Sequence, residues 1–220
     1  MSAPATPQAL TATDDAVRLA ELRALAETKP QSARTAAWTW LTSLDTRKDA
    51  DHLDALFRLG TAPAAIDGDG EGAVLGLFGT PFMGFVDRAV RLGRVLGGIG
   101  WTGKSFDGQA GTGYNRLTRT ARLPMFFVMP RYGFSVRGGE LIGFRFDHRV
   151  EPSPADPDLE VRAVIYENHA YGNPLMLPRT RDELVELVPG CMLGRALLQP
   201  EGGPWETIAY FALRFPREDR

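Results

Sequence analysis

The chain changes its sequence grammar at Ile66, and this change limits the fold more than any other feature. Beyond it, clusters of turn formers (DGDGEG, DGQAGTG, RGGE, EPSPADPD and PEGGP) cut the sequence into short β-prone runs. That is the pattern of an antiparallel sheet or barrel. The clearest expected strands are Arg122–Tyr132, Glu140–Val150, Leu159–Tyr166, Met192–Leu198 and Glu206–Phe215. Within Glu140–Val150, the two-residue period puts Ile142, Phe144, Phe146, His148 and Val150 on one face. Leu141, Gly143, Arg145, Asp147 and Arg149 take the other. Thr180 and Glu183 spell a capping box, so DELVELV is expected as a short helix closed by Pro189 and Gly190.

Before Ile66 the chain reads as helical. Asp14–Thr28 opens with acidic residues and stops before Pro30. Ser32–Ser43 carries Trp38 and Leu41, with Leu44 just beyond, at helical spacing, Trp40 falling off that stripe. Asp49–Leu59 ends at Gly60, a common helix stop. Helices first and strands afterwards imply an α+β fold. Six to ten short strands in the remaining chain are expected to close on themselves, because closure removes edges. The expected organisation is a loose, disordered tail over 1–12, a helical segment over 13–60, and an antiparallel β-barrel over 61–220 with one or two inserted helices.

Composition removes several function classes. A net charge of -2 argues against nucleic acid as a partner. The one cysteine, Cys191, excludes an internal disulfide and a multi-cysteine metal site, and it reads as a packed thiol. MSAPATPQAL has no basic start followed by an apolar run, so no signal peptide is expected and the default location is cytoplasmic. The apolar stretch from Gly72 to Gly100 is broken by Pro81, Asp87, Arg88, Arg91 and Arg94, so it falls short of the roughly 20 apolar residues of a membrane span. Its segment Val86–Leu96 has an arginine face that could rest on anionic lipid. The preferred reading is a surface helix packed on the protein's own core.

Gly98, Gly103, Lys104 and Ser105 spell a Walker-type G-x-x-x-x-G-K-S. The next residues, DGQAGTGYN, break any helix, so the stretch is expected to be a hairpin with Trp101 anchoring the core. Trp101 and Lys104 lie three apart and would point to opposite faces of a strand unless a turn at Gly103 intervenes. Of the histidines, His52 beside Asp49 and Asp51 is expected to be solvated. His148 lies among phenylalanines on the expected inner face. His169 belongs to the polar, aromatic run from Tyr166 to Asn173, just past a strand end. Two histidines with Glu167 as the nearby acid do not make a metal site, so no metal and no cofactor are expected. No G-x-S-x-G elbow is present, which disfavours covalent hydrolysis.

The stretches LFRLGTAPAAIDGDGEG, WTGKSFDGQAGTGYNRL and DELVELVPGCMLGRALL, read in that order, resemble a group of uncharacterised bacterial proteins related to the GXWXG-domain and lipocalin-like families. The similarity runs over roughly Leu56–Leu213, and Ile99 stands where the motif has its first glycine. The resemblance implies a lipocalin-like barrel with an interior pocket, and it supplies no catalytic residues.

The expected function is binding of a small, mostly apolar molecule inside the barrel. Trp101, Phe144, Phe146 and His148 are the expected lining, with Tyr166, His169 and Arg145 as polar contacts nearer the rim. The alternative is a cofactor-independent cyclase or isomerase acting on a polyketide, terpene or fatty-acyl substrate, with His148, Tyr166 or Lys104 moving a proton.

Overall fold

The computed structural model describes residues 12–44, 50–77, 100–122, 131–174 and 177–216. Three helices come first: α1 (Ala12–Thr28), α2 (Pro30–Ser43) and α3 (Ala50–Arg58). Nine strands follow: β1 (Gly68–Leu77), β2 (Trp101–Asp107), β3 (Thr112–Leu117), β4 (Ser135–Arg137), β5 (Glu140–Pro152), β6 (Glu160–Ile165), β7 (Thr180–Val188), β8 (Cys191–Leu198) and β9 (Glu206–Arg214). Every pairing is antiparallel. β3 pairs with β5, and β9 pairs with β1, so eight strands close a barrel and the short β4 extends β5 as a hairpin. The α+β class and the barrel agree with the sequence. The tail expectation falls outside the described residues except for Ala12, which opens α1, and the Val86–Leu96 helix falls wholly outside them.

The helices cover the outer face of β7, β8 and β9. Leu19 and Leu22 of α1, Ala37, Trp40 and Leu41 of α2, and Leu53, Leu56 and Phe57 of α3 pack with Val185, Leu187, Leu193, Tyr210 and Ala212. Trp40 is therefore the buried tryptophan of α2, at 1% exposure, while Trp38 is half-buried. The four-residue step from Ala33 through Ala37 to Leu41 sets the buried face, and Trp40 lies beside it. His52 is not solvated either. It packs against Asp15 of α1, because α3 lies across α1.

A charged cluster fixes α3 to the barrel. Arg195 donates to Glu183 Oε2 (2.8 Å), Asp54 Oδ1 (2.9 Å) and Ser153 Oγ (3.0 Å), and its guanidinium lies 4.5 Å from the Phe57 ring. Glu183 is fully buried and also accepts from Ser153 Oγ and Arg181. These partners satisfy charges that would otherwise be costly to bury.

Two expected elements differ. Thr180–Val188 is strand β7, not a capped helix. It is laddered to β6 on one side and β8 on the other, and its two faces are both covered, the inner by the barrel and the outer by helices. A strand buried on both faces loses the alternation that marks it, and the two ladders outweigh local helix preference. Pro189 and Gly190 make a hairpin turn, with Gly190 at φ 77. In Arg122–Tyr132 the described ends are not strand. Arg119–Ala121 forms a 3-10 turn that Arg122 continues, and Tyr132 stacks flat on Phe144 at 5.1 Å.

Among the described residues no helix is long and apolar enough to cross a membrane.

Candidate functional site

Four polar side chains from four parts of the chain meet inside the barrel. Lys104 comes from β2, Asn115 from β3, Tyr166 from just beyond β6, and Asp182 from β7. Lys104 Nζ donates to Asp182 Oδ2 (2.7 Å), to Asn115 Oδ1 (2.8 Å) and to Tyr166 OH (2.6 Å), which uses all three of its protons. Tyr166 OH donates to Asp182 Oδ2 (2.7 Å). Asn115 Nδ2 donates to Tyr166 OH and to the Phe144 carbonyl, both at 3.1 Å. Asn115 Oδ1 also accepts from Trp101 Nε1 (2.9 Å). Only Oδ2 of the Asp182 carboxylate is engaged among the described residues.

Irregularities in two strands create this convergence. The β2–β3 register shifts between Trp101 and Gly103, and Gly103 has φ 142. The extra residue turns Trp101 to the same side as Lys104, whose Nζ lies 5.6 Å from the indole centre. A Cβ at Gly103 would stand 2.0 Å from the Gly70 carbonyl, so only glycine fits. In β5 the register shifts between the partners of Gly113 and Asn115, and Phe144 adopts φ 51. This bulge reverses the alternation expected for β5. Leu141 and Gly143 share the inner face with Phe146 and His148, while Phe144 sits at the bulge and packs on Tyr132 and Phe134.

Above the polar group lies a cavity of about 180 Å³. Its walls are mainly apolar, from Val74, Leu77, Trp101, Phe144, Leu177, Ala209 and Phe211, and Lys104, Asn115, Tyr166 and Asp182 form its polar part. The Lys104 ammonium is surrounded by the rings of Trp101, Phe146, Tyr166 and Phe211 at 5.3 to 5.6 Å. Burial lowers the Lys104 pKa below its ordinary value, and the Asp182 charge opposes that shift. Burial raises the Tyr166 pKa well above its ordinary value, and the adjacent Asp182 adds to the effect. At neutral pH the tyrosine is therefore a neutral hydroxyl.

The structure brings Trp101, Phe144, Tyr166 and Lys104 together at this cavity. Tyr166 is deep within it, at 2% exposure, where the sequence suggests the rim. Phe146 packs beneath, between Tyr166 and Phe106. His148 lies farther along the interior, beyond Phe106 and away from the cavity walls. Its Nε2 meets the Asp107 carbonyl (3.2 Å) and its Nδ1 meets Arg162 Nη1 (3.1 Å), so both ring nitrogens have partners. With Arg162 donating to Nδ1, the proton resides on Nε2. Burial is the main cause that lowers its pKa, and Arg162 acts in the same direction. Arg145 is exposed and lies over the Tyr171 ring at 5.5 Å. His169 is exposed on the 3-10 turn His169–Tyr171. Neither reaches the cavity. The sequence reading misses Asp182, because on the helix expected there its inward direction carries no signal.

A larger cleft of about 910 Å³ opens around the β2–β3 turn, between Ile66, Asp107, Arg137, Arg145 and Arg162. Exposed residues such as Asp67, Gly68, Gly108 and Gln109 make up much of its wall, so it is a surface recess. The smaller cavity carries the buried chemistry. Comparison of the chain with family models, with curated proteins and with solved structures gives no match.

Proposed function

We propose that the barrel binds a small, mostly apolar molecule in the cavity walled by Val74, Trp101, Leu177 and Phe211, with one hydrogen-bond donor of the ligand on Asp182 Oδ1. The observation that carries this reading is a buried polar group, hydrogen-bonded except at Asp182 Oδ1 among the described residues, set against an apolar cavity of about 180 Å³. A cavity of roughly 150 Å³ suffices for benzene in an engineered protein core. Drug-sized ligands occupy about 300–1,000 Å³. The ligand is thus a single ring or a short acyl segment, carrying a hydroxyl or amine. Lys104 is already neutralised by Asp182, so an acidic ligand group has no free cation to meet there. The eight-stranded up-and-down barrel supports a lipocalin-like ancestry, and the lone buried thiol of Cys191 is compatible with the cytoplasm.

The test uses benzyl alcohol and the indole N–H signals of the four tryptophans. Binding shifts the Trp101 signal saturably and leaves Trp38 and Trp40 unmoved. Ala209→Leu, which fills the cavity, removes the response while the fold persists. An unshifted Trp101 signal at saturating probe overturns the reading.

The contact of Tyr166 with Asp182 and Lys104 favours a second reading, a cofactor-independent isomerase or cyclase that moves a proton at the cavity floor. Product analysis by mass spectrometry, after incubation with small polyketide, terpene and fatty-acyl compounds, separates the two. Turnover lost in Tyr166→Phe supports the enzyme, and unchanged compounds leave the binder.

A further inference from the structure

Lysine is rare in this chain. Of the 25 cationic side chains only Lys29, Lys48 and Lys104 are lysines. Among the described residues the other buried cations, Arg116, Arg162, Arg181, Arg195 and Arg214, are all arginine. Arginine serves a purely structural ion pair well and keeps its proton throughout the accessible pH range. A lysine can lose its proton and become a nucleophile. Among the described residues the single position that buries a lysine is also part of the polar wall of the apolar cavity.

We propose that Lys104 captures a small aldehyde or ketone in this cavity as a Schiff base, with Asp182 as the proton acceptor and donor. This rests on the reading of the cavity as a ligand site and names the ligand's reactive group. Lys104 Nζ passes one proton to Asp182 Oδ2, 2.7 Å away. Asn115 Oδ1 and Tyr166 OH, at 2.8 and 2.6 Å, hold the two protons that remain on the amine. The nitrogen lone pair forms a bond to the carbonyl carbon. The carbonyl oxygen gains the proton that the nitrogen loses, relayed through the Tyr166 hydroxyl, to give a carbinolamine. Asp182 returns its proton to the carbinolamine oxygen, the carbon–oxygen bond breaks, and water leaves. The products are a protonated imine and the Asp182 carboxylate, which remains as its counter-ion. No electrons are exchanged, and one water is released for each imine formed. Burial, which lowers the Lys104 pKa, eases the first step. The four surrounding rings exclude water that would hydrolyse the imine.

The experiment incubates the full chain with benzaldehyde and cyanoborohydride and maps the modified peptide by mass spectrometry. Reduction fixes the imine as an amine whose added mass equals the aldehyde less its oxygen. The expected result is labelling of Lys104 at least about tenfold faster than of the exposed Lys29, as a low-pKa amine near a base should react, with benzyl alcohol competing. Lys104→Arg keeps the charge and removes the adduct. Because mapping localises the label in the unmodified chain, the result stands even if that variant does not fold. Labelling confined to Lys29, Lys48 or the amino terminus, while benzyl alcohol still shifts the Trp101 signal, overturns the Schiff base and leaves the binding site intact. If neither compound reaches Trp101, both readings fall.

Discussion

Asp182→Ala removes the counter-ion of a lysine whose side chain is 3% exposed. Breaking a buried ion pair from one side costs about 3–5 kcal/mol, because the remaining charge stays uncompensated. Tyr166 also loses the acceptor of its hydroxyl, but the two losses share one carboxylate and are not summed. For a domain of this size, each kcal/mol moves Tm by roughly 2–4 °C, so the midpoint should fall by about 6–20 °C. The pH dependence has a definite sign. Lys104 already has a folded-state pKa below 10.5 through burial, and Asp182 is the group that holds it up. Without Asp182 the folded pKa drops further, so the unfolded chain binds more protons between that value and 10.5. The variant's stability therefore rises with pH across that window, and its deficit against the parent shrinks. Urea unfolding followed by circular dichroism at several pH values reads both effects. A Lys104→Met change in the Asp182→Ala background should restore part of the loss, giving a coupling of about 0.5–3 kcal/mol. A loss below about 1 kcal/mol, the value of an exposed pair, would refute the buried network.

Gly103→Ala should destabilise by at least about 1–3 kcal/mol from backbone strain alone, before the clash with the Gly70 carbonyl, and urea midpoints read it. The His148 pKa lies below 6.5 in the folded state, so the unfolded state takes up its proton first. Its stability contribution is present above 6.5 and is lost as pH falls through the folded value, and His148→Gln should flatten the acid limb of the stability profile. Burial pushes the Cys191 thiol up to about 12, so iodoacetamide should leave it unmodified in the native protein at neutral pH and alkylate it in urea.

The architecture is largely legible in the sequence. Acidic helix starts, Gly60 and the turn clusters mark helices followed by strands, and the β2–β3 hairpin is readable in DGQAGTG. The site is legible only in part. Trp101, Phe144, Lys104 and Tyr166 are aromatic or charged residues on marked strands or hairpins, so they draw attention. Asp182 does not, because TRDELVELV has the local chemistry of a capped helix and becomes a strand only through two ladders supplied by distant residues. The inner face of β5 escapes for a related reason. A period-two count assumes an unbroken strand, and the bulge at Phe144 inserts one residue that no propensity announces. At Gly103 the same device has a visible mark, a glycine between Trp101 and Lys104, where the sequence asks for a turn and the structure brings the two side chains together by a bulge within β2. His52 shows the remaining limit: its partner Asp15 is 37 residues away.

The most direct test of the account is a crystal structure of the protein soaked with benzyl alcohol. The account predicts the ring in the cavity, against the wall that Trp101 and Phe211 form together, with the hydroxyl on Asp182 Oδ1 and the bonds among Lys104, Asn115 and Tyr166 unchanged. A cavity closed by repacked side chains, or Lys104 turned away from Asp182 toward solvent, would contradict it.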